Sequence, residues 1–198
     1  MLSVTSQDEA IKRRILEGAL AAFRQRGIRA VSTGELTRTI GISKATLYAH
    51  YPSKEALVKA ALLGIMDHIW NEGHVAAQQA TTSRAALKAF FAVVAERSAD
   101  YPPGVLHDLE REYPNLLGEL MEVEAERVGL LTDVLQRAQN AGELRADLDI
   151  PAAVRVFHAL VNTMTSHTFL SRAGMTLQAV PTYIGALIDG LFTAPETR

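Results

Sequence analysis

The chain has 198 residues, 48% of them hydrophobic, and a formal net charge of −2; this is enough for a buried core in one or two small domains. It contains no cysteine, which excludes disulfides, cysteine nucleophiles and thiolate metal sites. The small net charge hides a split: residues 1–60 hold ten Lys/Arg against five Asp/Glu, and the remainder ten against seventeen. A basic first third on an acidic body suits a nucleic-acid-binding module attached to something that should avoid phosphate.

Apolar residues recur at helical spacing to the end of the chain, with no strand-like alternation, so the fold expected is all-α with about nine helices. Residues 8–27 form an amphipathic helix with Ile11, Ile15, Ala19, Ala22 and Phe23 on one side, ended by Gly27. Ser32 and Glu35 have capping-box spacing for a second helix. Gly41 falls where that helix must end, Ser43 can cap a short third one, Lys44–Tyr51, and Pro52-Ser53 open the next. Leu36 and Ile40, and Leu47 and Tyr51, are four apart, so each pair shares a face. That leaves Lys44, Ala45, Tyr48 and Ala49 outward on the third helix, a small-residue face able to enter a major groove of double-stranded DNA.

Lys54–Gln79 reads as a long helix with Leu57, Ala61, Ile65 and Ile69 inward and Gly64 and Gly73 as points of bending. Ser83 is expected to cap Arg84–Ala99. Pro102-Pro103 open a short helix to Tyr113, and Pro114 starts a long one to about Asn140, with Gly142 as its C-terminal cap. The last two helices, about Pro151–Ser171 and Leu177–Phe192, are the most apolar. The first is apolar nearly all round, hence buried on more than one side. Ala186 and Gly190, four apart on the second with Gly185 beside them, permit close helix approach. Val154, Phe157, Val161, Ala186 and Gly190 are the residues expected at an interface between two copies of the chain.

Large or polar groups set in apolar helical faces are the candidates for a small-molecule pocket, which is typically apolar with a few convergent polar groups. They are His68, Trp70, Phe90, Phe91, Val94, Leu106, His107, Met121, Glu124, Phe157, Asn162, Met164 and His167. No histidine pair has the four-residue spacing of a helical metal site, so no metal or cofactor is expected; His107, Asp108 and Glu112 are the nearest approach to a cluster. No nucleophile elbow or glycine-rich phosphate loop is present, and no catalytic residue is assigned. Glu119, Glu122, Glu124 and Glu126 read as a solvated face. The uncharged windows 156–171 and 173–188 are too short to span a bilayer, and the first ten residues lack a signal-peptide core. The expectation is a soluble cytoplasmic protein with no membrane association.

Residues 12–62 resemble the DNA-binding domain of the TetR family of bacterial transcriptional regulators. The resemblance runs from Ile15-Leu16, Ala19, Phe23 and Gly27 through Thr33, Leu36-Thr37 and Ile40-Gly41-Ile42-Ser43. It continues through Lys44-Ala45-Thr46-Leu47-Tyr48, His50-Tyr51, Ser53-Lys54-Glu55 and Leu57 without a gap. Ala45 stands where the family often has glycine, Tyr51 where it usually has phenylalanine, and Gly34 where an apolar residue is more typical. Glu110–Tyr113, Pro114 and Leu116 resemble a recurrent feature of the family's ligand domains.

The resemblance implies a helix-turn-helix domain, 8–53, followed by a helical effector-binding and dimerisation domain, 54–198, whose last helices meet those of a second copy. The function expected is a regulator, most simply a repressor, that grips a palindromic operator as a homodimer and is released by a small effector. Lys44 and Tyr48 would probe bases, while Thr33, Ser43, Thr46, His50 and Lys54 would hold phosphates and set register. The alternatives are a DNA-binding regulator controlled by a protein partner, without a pocket, and a helical small-molecule enzyme.

Overall fold

The structure is a computed structural model, and its described residues are 4–97, 100–102, 104–127, 129–144, 146–165 and 167–192. Among them are eleven α-helices and no strand. The chain divides into two compact units: residues up to Met66 with Asp100–Leu120, and Asp67–Ala99 with the residues from Met121 onward. The segment 8–53 lies wholly in the first, whereas 54–198 is shared between both.

In the first unit, α1 (Val4–Arg26) buries Ile15, Ala19, Ala22 and Phe23, one helical face. Each large apolar side chain so buried contributes roughly 1.5–3 kcal/mol. The capping box of α2 (Thr33–Ile40) is complete: Ser32 Oγ accepts from the Glu35 amide at 3.2 Å, and Glu35 Oε2 accepts from the Ser32 amide at 3.0 Å. Gly41, at φ 71°, turns the chain, and the amides of Gly41 and Ile42 both bond back to the Thr37 carbonyl. A side chain at that left-handed position would be strained, which is why glycine suits it.

Helix α3 (Lys44–His50) is capped by Ser43, whose Oγ accepts from the Thr46 amide at 2.9 Å. Leu36, Leu47 and Tyr51 are buried and lock α2 against α3, while Ile40 and Ile42 remain half-covered. Ser53 likewise caps α4 (Lys54–Gln78), whose first half buries Leu57, Ala61 and Ile65. Two later elements complete this unit: α6 (Val105–Glu112), with Val105 and Leu109 inward, and the start of α7 (Pro114–Arg127), with Leu116 and Leu120 inward. Helix α4 runs on from this unit into the second.

The second unit contains the rest of α4, α5 (Ser83–Arg97), the end of α7, α8 (Gly129–Asn140), α9 (Ile150–Thr165), α10 (His167–Ala173) and, after a 3-10 turn, α11 (Val180–Leu191). Thr82, not Ser83, caps α5: its Oγ1 accepts from the Ala85 amide at 3.2 Å. The helix starts one residue early, and the cap is whichever hydroxyl lies three residues before a free amide. The helices expected over 114–140 and 151–171 are helical at every described residue, and residues 128 and 166 lie outside the described set. Gly142 ends α8 as expected, with the Glu143 amide bonded to the Ala138 carbonyl. Gly73 serves close packing: a Cβ there would stand 2.6 Å from a ring carbon of Phe90.

Candidate nucleic-acid interface

The capped pair α2–α3 presents one open face. Ser43, Lys44, Ala45, Tyr48 and Ala49 are exposed, and Thr33 and Thr46 are half-covered beside them. Their hydroxyls are already organised. Thr33 Oγ1, on the first residue of α2, hydrogen-bonds Tyr48 Oη at 3.2 Å, and Ser43 Oγ lies 2.8 Å from Thr46 Oγ1. Lys44 lies close over α2, its Cε 3.9 Å from where a Cβ on Gly34 would be. The outward side of α3 thus offers one ammonium group, three hydroxyl-bearing side chains and two alanines that leave room for a base edge.

His50 and Lys54 have different surroundings. The His50 side chain is only 11% exposed, and its Nε2 stands 3.7 Å from Asp8 Oδ1 on α1. Burial pushes the Lys54 ammonium below its usual range, against the opposing pull of Asp108 and Glu112. The His50 side chain therefore already faces a carboxylate of its own unit.

Arg14 was not indicated by any motif. Its Nη2 donates to the carbonyls of Ile40, at 3.1 Å, and Gly41, at 3.2 Å, so α1 clamps the α2–α3 turn. These are carbonyls left open at a helix end, which cations satisfy well. Glu35 is held below the usual carboxylate range by the hydrogen bonds from the Ser32 amide and hydroxyl, and then by Arg26.

The expected pocket residues divide. Leu106 and His107 belong to the first unit; the other described ones lie in the second. There, Trp70, Phe90, Phe91 and Phe157 form a continuous run of rings from α4, α5 and α9, with successive centroids 4.9, 5.2 and 5.5 Å apart. Phe90, Phe157 and Met164 are buried, while Trp70, Phe91, Val94 and Met121 are half-covered. His68 is exposed and faces Glu72 at 3.4 Å; Glu72 also takes Arg97, which lowers its pKa. Glu124, Asn162 and His167 lie outside the residues whose side chains are described, as does Val161.

On α9 and α11 the outward residues are those expected only in part. Val154 and Phe157 point into the core of their own unit. Ala186 and Gly190 are exposed, and beside them stand Tyr183 (53% exposed) and Leu187 (43%), with Val156 (68%) and Leu160 (37%) on α9. The signal was present as i, i+4 pairs, Val156/Leu160 and Tyr183/Leu187, but a helix apolar all round does not announce which side is outermost. Among the described residues no helix is long and apolar enough to cross a membrane.

A short helix held by caps at the end of a glycine turn, with its free face turned outward, defines a helix-turn-helix DNA-binding protein. Residues 15–61 match the family model described as bacterial regulatory proteins, tetR family. Over 195 residues, 94% of each chain, the protein is 27% identical to the HTH-type transcriptional repressor KstR2 of Rhodococcus jostii. It is 37% identical over 93 residues to the HTH-type transcriptional regulator RutR of Escherichia coli, covering 47% of this chain and 43% of that one. A TetR-family transcriptional regulator from Cytophaga hutchinsonii shares the fold at a TM-score of 0.71, with 18% identity over 96% of this chain and 98% of that one. The segment 15–61 is thus a DNA-binding domain of the TetR type, and the rest of the chain shares the fold of TetR-family regulators.

Proposed function

We propose that the protein is a cytoplasmic homodimeric repressor that binds a two-fold symmetric operator and loosens its grip when a small molecule enters the second unit. The observation that carries this reading is the free face of α3, Lys44, Ala45, Tyr48 and Ala49, exposed on a helix whose cap and preceding turn are both pinned. Lys44 reads bases and Tyr48 either packs on a thymine methyl or joins the phosphate contacts. Thr33, Ser43 and Thr46 hold phosphate oxygens and fix register. His50, engaged by Asp8, holds α3 to α1 and reaches phosphate only secondarily, while the half-covered Lys54 is left to phosphate.

One seven-residue helix contacts too few bases to specify an operator, so a second copy is needed. The exposed stripe Val156, Leu160, Tyr183 and Leu187, with Ala186 and Gly190 permitting close approach, supports a four-helix seam between two copies. The direction of control, repression, follows the name of the relative aligned over 94% of the chain. The run of rings from Trp70 to Phe157 supports an apolar effector site in the second unit. Because α4 continues unbroken from Lys54 to Gln78, a shift of its second half is felt at its first. The effector need favour the non-binding state by only about 1–3 kcal/mol to weaken DNA binding by roughly 5–150-fold, and it does so through differential affinity for the two states.

Selection of duplexes from a random-sequence pool tests the reading. The expected product is one enriched motif with two-fold symmetry, its half-sites one DNA turn apart, about 34–36 Å, or a multiple of that. A pool that gains no common motif would sink it.

A further inference from the structure

We infer that Asp108, on α6, is a positioning residue for the DNA-reading face, acting through the turn between α1 and α2. Among the described residues it is the one charged side chain that is buried, at 8% exposed. Its Oδ2 accepts a hydrogen bond from the backbone amide of Arg29 at 3.0 Å, across 79 residues of sequence. Arg29 sits in the turn that leads to Ser32, the cap of α2, and the next residue, Thr33, bonds Tyr48. From α6 to the outward face of α3 there are thus two hydrogen bonds and the five residues 29–33.

The bond has support on both sides. Arg29 Nε stands 4.0 Å from Glu112 Oε1 at the end of α6, and nearby Arg24 bonds the Asp100 carbonyl at 2.9 Å. Removing Asp108 leaves a part-buried amide without its acceptor and lets the turn relax. Thr33 and Tyr48 then lose their shared register, although Asp108 itself touches no DNA. This inference rests on α3 being the reading helix.

The test uses the duplex selected by the wild-type protein and a scrambled duplex of the same length. Asp108→Ala should lower affinity for the selected duplex about tenfold, the effect of one part-buried donor left without its acceptor, while the scrambled duplex loses less than about threefold because its binding is mainly charge. Asp108→Asn, which keeps an oxygen facing the Arg29 amide, should restore most of the affinity. Equal losses on both duplexes, or an Asn variant as weak as the Ala variant, overturn the inference. If Asp108→Ala does not fold, the wild-type protein still decides: a protected Arg29 amide in hydrogen exchange supports the bond, and a freely exchanging one removes it. Tyr48→Phe and Lys44→Ala separate the two failures. If they bind the selected duplex like wild type, the reading helix is wrong; if they are impaired while Asp108→Ala is not, only the role of Asp108 falls.

Discussion

A double substitution, Leu160→Glu with Leu187→Glu, is expected to convert the protein to monomers and to cost about 10²–10⁴-fold in operator affinity. Both positions are already exposed in the single chain, at 37% and 43%, so the charges do not disturb a monomer's core. In the proposed seam they place four carboxylates against apolar partners, and each unpaired buried charge costs several kcal/mol. Dimerisation matters to DNA because the second α3 binds its half-site as an intramolecular event; losing that tether forfeits the avidity gain of about 10²–10⁴. Sedimentation should report 21.5 kDa rather than twice that, with helical circular dichroism unchanged. An unchanged dimer mass removes the seam from α9 and α11.

The second large effect is that of salt. Raising monovalent salt from about 50 to 200 mM should weaken operator binding by roughly 10²–10⁴-fold, as expected if a dimer neutralises about four to eight phosphates. The basic excess of residues 1–60 is partly spent inside the protein. Arg24 meets Asp100, Arg29 meets Glu112, and Lys59 bonds Glu119, so the acidic segment 100–120 neutralises cations of its own unit. Arg38 is exposed and heads the set left for phosphate. A slope near zero in a plot of log affinity against log salt contradicts phosphate-driven binding.

The helix-turn-helix was legible because everything that shapes it is local. Ser32 and Glu35, Gly41, and Ser43 each act within four residues of where they stand, so spacing alone predicts the caps and the turn. The outward set Lys44, Ala45, Tyr48 and Ala49 follows from helical phase, because Leu47 and Tyr51, four apart, share the buried face. What escaped depends on partners far apart in sequence. Arg14 clamps a turn 26 residues away, and Asp108 holds an amide 79 residues away; nothing near either residue marks it. The return of 100–120 to the first unit was hidden for the same reason, although the contrast between a basic start and an acidic remainder was visible. On α9, phase could not separate Val154 and Phe157, which pack inward, from Val156 and Leu160, which do not, because all four are apolar. The ring run of Trp70, Phe90, Phe91 and Phe157 drew its members from the expected pocket residues, but their adjacency required three helices to pack.

The central claim is that α3 reads base sequence, and Lys44→Ala measured on two duplexes tests it most directly. Lys44 is exposed on the free face and is the one lysine or arginine of that helix. The account predicts that the variant loses affinity for the selected operator by about tenfold or more, in line with 1–3 kcal/mol for a base contact, while a scrambled duplex loses much less. Equal losses on the two duplexes would contradict it, because they would make Lys44 a phosphate contact and leave α3 without its reader.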